Sequence, residues 1–278
     1  MSFTVVKADG TSETFEVGKL RDSLQRSGAT QEEIGSIIGE IESIAYDGMH
    51  TQEIYKHAFE LLRNSETVVA ARYSLRRALF NLGPTGFPFE DFLARLFAHD
   101  GYKTRTRIIL KGNCAEHELD VAAYKEDHSF VVEAKFHSHP GMKSDLQVAL
   151  YCYARLLDLQ DTKICEEDIC GVKELMIVTN TKFTSAAERY AVCNGLKLLS
   201  WDYPKERNLH DRIHEAALYP VTVLQSLSVS QKRALIERGI IVCSDLIEKP
   251  HMLRYTHISA SRTQMVLDEA EKLSTVHL

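Results

Sequence analysis

Features that would assign this chain of 278 residues to a membrane, secreted or disulfide-rich class are scarce in it. No apolar run is long enough to span a bilayer, and the first residues lack the basic-then-apolar pattern of a secretory signal. The six cysteines are scattered without a CxxC pair, which favours free thiols over disulfides or a structural zinc site. These absences predict a cytoplasmic protein that does not associate with a membrane.

Positive charge is also scarce, since the formal net charge is −6 at pH 7, whereas proteins that bind nucleic acids are usually basic. The exception is one predicted strand on which basic residues alternate, so that they face one side and can meet phosphates. These residues are Lys103, Arg105, Arg107 and Lys111. The overall charge weakens the case for DNA binding, and this strand is where DNA would be bound.

Length and composition are those of an ordinary globular protein with two or three domains, and 44% of the residues are hydrophobic. A Gly/Pro-rich stretch at 83–88 is a natural linker. The chain before it predicts a hairpin and helices, the chain after it alternating strands and helices, and the chain beyond Pro220 only helices. We therefore predict a multi-domain α/β protein with domains at 1–85, 86–219 and 220–278, the middle one a mixed sheet flanked by helices.

The middle domain contains a predicted β-hairpin made of Glu118–Tyr124 and Phe130–Lys135, joined by the polar loop 125–128. If the hairpin is symmetric about that loop, Asp120 lies opposite Glu133 and Glu118 lies opposite Lys135. Opposed side chains are about 5 Å apart at Cβ, so two carboxylates and an ammonium would gather on one face. The other face would be apolar and packed inward, with Leu119, Val121, Val132 and Ala134.

Two opposed carboxylates repel each other, and a divalent cation between them reverses the sign of that interaction. Mg²⁺ takes oxygen ligands and keeps several waters, which leaves room for a phosphate oxygen. Lys135 could then hold or help to deprotonate the attacking water, while the cation stabilises charge on phosphorus. The alternative is a solvated strand face on which Glu118 and Lys135 form a surface ion pair of little consequence. Geometry alone does not decide between the two.

Asp120 followed by Glu133-Ala-Lys135 on the next strand resembles the PD-(D/E)xK nuclease signature. The helix opened by Phe89-Glu90-Asp91 and the later helix carrying Gln147 stand in the order typical of the Mrr-type restriction endonuclease and Holliday-junction resolvase branch. The resemblance covers roughly residues 86 to 205. It implies a Mg²⁺-dependent DNA endonuclease with Asp120 and Glu133 as metal ligands and Lys135 as a further catalytic residue. It also implies that Glu90 completes the metal site and that Gln147 lies beside it. The alternatives are a carboxylate favoured by a helix N-terminus and a surface amide, respectively.

The first 85 residues resemble the ATP cone, a regulatory nucleotide-binding domain of ribonucleotide reductases and their repressors. The matching residues are Val6-Lys7-x-Asp9-Gly10, Glu13, Phe15, Lys19-Leu20, Thr51-x-x-Ile54 and Ala71-Arg72-Tyr73-x-Leu75-Arg76-Arg77. The resemblance implies that Lys7 and Lys19 meet the phosphates of ATP or dATP and that Thr51 lines the pocket. Ala8 departs from the family where a second basic residue is usual, and Tyr55 where a histidine is common. The alternative for the two lysines is plain surface solvation.

The C-terminal segment is similar to helix-hairpin-helix and SAM-like bundles, and its turn at 237–240 could present backbone amides to phosphates. A helical cap on the nuclease core is the other interpretation. The chain as a whole is interpreted as a Mg²⁺-dependent DNA endonuclease, expected to form a homodimer or higher homo-oligomer. Because no GxxxxGK[ST] motif occurs, an ATP effect would be allosteric without hydrolysis. The alternative is a non-catalytic nucleotide-sensing regulator or assembly protein.

Overall fold

The N-terminal unit is a small sheet covered by helices, as the computed structural model shows; the structure describes residues 3–126, 128–160, 162–164 and 171–275. The predicted hairpin is present, its turn passes through Gly10 at φ 81°, and a third strand pairs with its first strand in parallel. The strands lie in the order β2-β1-β3. The elements are β1 (Thr4–Val6), β2 (Ser12–Thr14), α1 (Val17–Arg26), α2 (Gln31–Ile44), β3 (Met49–His50), α3 (Thr51–Ser65), α4 (Thr67–Tyr73) and α5 (Leu75–Phe80).

Local sequence explains the boundaries of these helices. A capping box formed by Thr30 and Glu33 begins α2, and four isoleucines at helical spacing face the core. All four are buried: Ile34, Ile37, Ile38 and Ile41. The last helical stretch of this unit is divided into two helices at Ser74, whose hydroxyl donates to the Ala71 carbonyl at 2.8 Å and interrupts the regular pattern.

The central unit is a five-stranded mixed sheet in the order β10-β8-β6-β5-β4. The three strands that begin with β4 pair antiparallel, while β6, β8 and β10 run parallel. A separate parallel pair, β7 with β9, lies outside this sheet. The elements are α6 (Phe87–His99), β4 (Lys103–Lys111), β5 (Glu116–Tyr124), β6 (Ser129–Lys135), β7 (Lys143–Ser144), α7 (Leu146–Leu159), β8 (Glu174–Thr179), β9 (Lys182–Phe183), α8 (Ser185–Cys193), β10 (Lys197–Leu199) and α9 (Leu209–Glu215).

Both faces of this sheet are covered, which differs from the half-polar hairpin that the sequence predicted. On one face α6 packs on Val121 and Val132, and on the other α7 and α8 pack on Ala122 and Val131. Leu119, predicted to share the face of Val121, lies in the second core cluster. The ladder between β4 and β5 skips Arg107, whose φ of 53° bends the strand, and the faces exchange at that point.

The C-terminal helices pack on the central unit as a cap. The Arg95 side chain on α6 donates to Asp245 at 2.8 Å and to the Gly239 carbonyl at 2.9 Å. The amides of the turn at 237–240 all donate to backbone carbonyls of Arg233, Leu235 and Ile236, so the turn uses them internally and the phosphate-binding interpretation loses support. The elements are a 3-10 turn (Val221–Val223), α10 (Val229–Ile236), α11 (Cys243–Glu248), a 3-10 helix (Pro250–Thr256) and α12 (Ala260–Ser274).

Two further observations concern the predicted absences. None of the helices within the described ranges is long and apolar enough to cross a membrane. Four cysteines of the described part are free thiols, namely Cys114, Cys152, Cys193 and Cys243, whereas Cys165 and Cys170 lie outside the described residues. Asp127 of the predicted hairpin loop also lies outside them.

Candidate active site and nucleotide cavity

The predicted acid pair lies where β5 and β6 separate at one end of the sheet. The pairs Val121↔Val132 and Tyr124↔Ser129 give the predicted register, in which Asp120 is the next residue before Val121 and Glu133 the next after Val132. Just beyond the last pair, the Ala134 amide donates to Asp120 Oδ2 at 2.7 Å. The carboxylate of Asp120 therefore replaces a backbone acceptor at the point where the two strands part.

The two acids at this end of the sheet lie close enough to affect each other's ionisation. Burial first, and the neighbouring Glu133 carboxylate second, raise the pKa of Asp120 to about 6. Glu133 is only 6% exposed, and Lys135 Nζ lies 2.6 Å from its Oε1. A buried acid whose pKa is raised by a second acid marks a candidate functional site.

Two residues that the sequence reasoning missed hold Glu133 in place. Tyr151 donates its hydroxyl to Oε1 of Glu133, and the Arg155 guanidinium donates to Oε2. The two stand four residues apart on α7 and so share one helix face. Lys135 Nζ lies 5.2 Å from the centre of the Tyr151 ring. A polar stripe on an otherwise apolar helix was the available signal.

Gln147 stands one turn before Tyr151 on the same face of α7. It is exposed, and its backbone amide donates to Asp145, the N-cap of the helix, at 3.0 Å. The spacing places its side chain on the side of α7 that faces Glu133. Gln147 therefore lies at the solvent end of the stripe that supports the acid pair.

Glu90 lies in the first turn of α6, where it is engaged by a guanidinium. Arg107 donates to Glu90 at 3.1 Å and to Asp91 at 2.8 Å. Burial nevertheless raises the pKa of Glu90, against the opposing effect of Arg107. Across the described ranges, no three His, Cys, Asp or Glu side chains group closely enough to hold a metal, so Glu90 does not complete a three-acid cluster.

The two carboxylates nevertheless fit a magnesium ion. Mg²⁺ in proteins is commonly held by one or two carboxylates, with water and substrate phosphate supplying the other oxygens. Asp120 and Glu133 repel each other, as the raised pKa of Asp120 shows, and a cation between them would remove that repulsion. The ligands would be these two side chains, and the remaining coordination would come from outside the protein.

The predicted DNA-contacting strand β4 is the edge strand of the sheet, and its four basic residues are exposed. The alternation predicted that all four side chains face one side of the strand, and the structure shows that they do not. Arg105 reaches the Ile164 carbonyl at 3.4 Å, near the core cluster that α7 covers, whereas Arg107 reaches the start of α6. The positive φ of Arg107 breaks the alternation and sends its side chain to the carboxylates of α6. Lys103 and Lys111, at the two ends of β4, are the other exposed cations of this edge.

The three predicted nucleotide-binding residues line one cavity of about 460 Å³. Lys7 Nζ lies 2.5 Å from a Glu13 oxygen, and Lys19 Nζ lies 2.8 Å from Glu16, so both ammonium groups are paired with acids. Thr51 begins α3 and brings a helix N-terminus to the cavity, which favours an anion.

Tyr55, where the family usually has a histidine, does not line this cavity. Its ring stacks on Tyr73 at 5.2 Å between centres, and burial raises its pKa to about 12. The residue therefore packs within the helices of the N-terminal unit, and base recognition there would have to use other groups.

Three family models match successive parts of the chain. One described as ATP cone domain matches residues 3–80, one described as restriction endonuclease matches 84–203, and one described as AF1548-like, C-terminal, matches 219–274. The recognised order of an ATP cone followed by an Mrr-type nuclease domain is confirmed.

A curated protein of Archaeoglobus fulgidus, named only as uncharacterized, is 34% identical over 182 residues, which are 65% of this chain and 99% of that protein. A crystal structure titled protein of unknown function AF1548 is 33% identical, covers 68% of this chain and 98% of its own, and has a TM-score of 0.55. The Can2 structure from Sulfobacillus thermosulfidooxidans in complex with cyclic tetra-adenylate covers 76% of this chain and 68% of its own, at 15% identity. Its TM-score of 0.31 is too low to establish a shared fold.

Proposed function

The chain belongs to the same family as the Archaeoglobus fulgidus protein, and we propose that it is a Mg²⁺-dependent DNA endonuclease controlled by an adenine nucleotide. The observation that carries this proposal is the meeting of Asp120, Glu133 and Lys135 where β5 and β6 part. A restriction-endonuclease domain and an ATP cone in one chain support the two halves of the proposal.

In the proposed reaction, Asp120 and Glu133 would hold a divalent cation, whose positive charge would offset the charge that builds up on phosphorus. Lys135 presents its ammonium beside Glu133 and can hold the attacking water or a phosphate oxygen. Tyr151 and Arg155 keep the Glu133 carboxylate in one orientation. Orientation of this kind supports catalysis because the reacting groups must be held to within fractions of an ångström.

DNA would approach over the edge strand β4, where Lys103, Arg105 and Lys111 are exposed. Arg107 is held by Glu90 and Asp91 and would contribute mainly by fixing α6 against the strand.

A homodimer is part of the proposal, because Leu150 and Leu157 are 44% and 45% exposed two turns apart on α7. Light scattering at assay concentration tests it, and a fully active monomer would contradict it.

The deciding experiment incubates the full chain with supercoiled plasmid and, in parallel, with a structured RNA, with Mg²⁺ or with EDTA. Nicked or linear DNA that forms only with Mg²⁺ is the expected result. Cleavage of RNA alone would change the substrate class. Tight DNA binding without cleavage under any divalent cation would support the alternative of a nucleotide-sensing regulator that does not cleave.

A further inference from the structure

The cavity that Lys7, Lys19 and Thr51 line is not built by the ATP cone alone. Its other wall belongs to the nuclease domain, chiefly to the segment that follows the catalytic strand β6. That wall consists of Pro140, Gly141, Met142, Lys143, Thr181 and Lys182. Although the chain is acidic overall, cations outnumber acids around this space: Lys7, Lys19, Arg76, Lys143 and Lys182 against Asp9 and Glu13.

Two of these cations are forced together by strand pairing. In the parallel pair of β7 and β9, Lys143 stands directly beside Lys182. Neighbouring strands are about 4.8 Å apart, and like charges at paired positions are destabilising. Lys182 is paired with Asp202, whereas no carboxylate of the described chain lies within 4.0 Å of the Lys143 ammonium. An anion bound between the domains would relieve this repulsion.

The segment that follows β6 in the nuclease domain contacts the cone at Ala8, the position where the cone lacks a second basic residue. Gly141, at φ 97°, lies so close to the hairpin turn that an added Cβ would be 3.5 Å from the Asp9 amide and 3.6 Å from Ala8 backbone atoms. Hydrogen bonds from Thr11 chiefly lower the pKa of Asp9, and the charges of Lys7 and Lys143 lower it further. Lys143 follows this contact by two residues and lines the same cavity as Ala8, so its ammonium is available on the side where the cone lacks a second basic residue.

Arg76 of the cone lines the same cavity and also contacts the nuclease domain. Its guanidinium stacks on Trp201 of the nuclease domain at 5.6 Å, and its buried Nε has no hydrogen-bond partner in the described structure.

We propose that Lys143 of the nuclease domain completes the phosphate site of the ATP cone, in place of the base missing at Ala8, so that the nucleotide is held between the two domains. The inference rests on the proposed regulation by an adenine nucleotide and assigns the residues that make it possible.

The position of Lys143 also supplies a route to the active site. The segment 136–142 runs from Lys135 to β7, and Asp145 then caps α7, the helix whose Tyr151 and Arg155 hold Glu133. Its first part is tied to the sheet, since the His137 amide donates to Asn180 Oδ1 at 2.9 Å. A phosphate bound by Lys143 therefore acts on the short connection between Lys135 and the helix that supports Glu133, which gives the two ligand states different contacts.

Calorimetric titration of ATP and dATP into the full chain and its variants tests this assignment. Lys143→Ala should weaken binding roughly tenfold, the effect of losing one charged partner of a phosphate, with an unchanged melting temperature. Lys173→Ala removes another exposed lysine of the same domain, outside the cavity, and should bind as the parent does. Lys7→Ala reports on the wall that the cone itself supplies.

The sharpest arm is rescue. Ala8→Lys in the Lys143→Ala background should restore most of the affinity, because the cone then carries its own second base at the exposed turn. If Lys143→Ala binds as the parent does while Lys7→Ala binds weakly, the cone holds its nucleotide alone and the inference is wrong, although regulation survives. If the parent binds neither nucleotide at millimolar concentration, the proposed regulation is wrong and the inference is overturned with it.

Discussion

The candidate active site and the cone cavity each bring two like charges together, acids in the first and lysines in the second, at the two ends of one short segment. Before residue 136 the sheet gathers Asp120 and Glu133, and after residue 142 strand pairing gathers Lys143 and Lys182. Each cluster is unfavourable as it stands. Each is therefore suited to a ligand of the opposite charge, a divalent cation in the first case and a phosphate in the second.

The two clusters differ in burial, and burial determines how strongly the like charges in each repel each other. Burial of Asp120 first, and repulsion from Glu133 second, raise the pKa of Asp120 to about 6; because Glu133 is only 6% exposed, water screens that repulsion poorly. The lysines are exposed, so water screens most of their repulsion. Substitutions at the acid cluster should therefore have large effects, and substitutions at the cation cluster should have small ones.

The largest effect is expected at the acid cluster itself. Asp120→Ala or Lys135→Ala should lower Mg²⁺-dependent nicking by at least about 10²–10³-fold, the usual result of removing one preorganised charge at a reacting phosphate. Nucleotide affinity should stay unchanged, because neither residue lines the cone cavity. Gel-based nicking and ATP titration on the same preparations measure both quantities.

Glu116→Ala serves as the control for that experiment, since it removes an exposed acid from the same strand β5. It should leave nicking intact. If Asp120→Ala nicks DNA as fast as the parent, the active site has been assigned to the wrong residues.

An intermediate effect is expected at the residues that hold Glu133. Tyr151→Phe keeps the ring that faces Lys135 and loses only the hydroxyl bonded to Glu133. Nicking should fall by about 10–100-fold, the range typical of groups that orient a ligand. Because a misplaced carboxylate binds the cation less well, the Mg²⁺ concentration for half-maximal rate should rise as well. A lower rate at an unchanged Mg²⁺ requirement would contradict the positioning role.

The same electrostatic strain predicts a gain of stability. Asp120→Asn removes the charge and keeps an oxygen for the Ala134 amide, so the protein without divalent cations should be stabilised at neutral pH. A carboxyl whose ordinary pKa is 3.8 and which titrates at about 6 in the fold corresponds to an upper bound of about 3 kcal/mol. Thermal melts in EDTA at pH 7 should show a gain of several degrees, with Glu116→Gln unchanged.

The pH dependence of that gain has a definite sign. Since folding raises the pKa of Asp120, the native state is favoured most below the unfolded value of 3.8, and that advantage is lost as pH rises through about 6. The difference between Asp120→Asn and the parent should therefore be small at pH 4 and full at pH 7. A difference that is constant between these pH values would show that the charge of Asp120 is not its cause.

Local patterns in the sequence predicted much of the fold. The N-terminal hairpin, the helices that follow it and the helix opened by Phe89-Glu90-Asp91 each have a cause within a few residues, and each is present in the structure. The hairpin register was also predictable, because loop length fixes it. The assignment of side chains to the two faces of the sheet was harder to predict. The faces exchange at Arg107 because of its positive φ, which the presence of an arginine in the sequence does not indicate.

At the candidate site, the sequence pointed to the charged residues but not to what surrounds them. Tyr151 and Arg155 belong to another element, and only the packing of α7 on the sheet brings them to Glu133. Lys143 was invisible for the same reason, since its place beside Lys182 depends on the pairing of two strands that lie far apart in the chain. The parts of both sites that the sequence did not predict therefore depend on contacts between elements that are distant in the chain.

The smallest effect is expected from substituting Asp202, which releases Lys182 from its ion pair and leaves the lysine itself in place. The ion pair between the two is 47% exposed on each side, and pairs of this kind contribute about 0.2–1 kcal/mol. Asp202→Asn should therefore tighten ATP binding by no more than about fivefold, because Lys182 becomes free for phosphate and the neighbouring Arg76 loses a competing charge. Glu271→Gln, an exposed acid of α12 away from the cavity, controls for the change in net charge. The gain should vanish in the Lys182→Ala background, and tightening that persists there would mean that Asp202 acts through the general field of the protein.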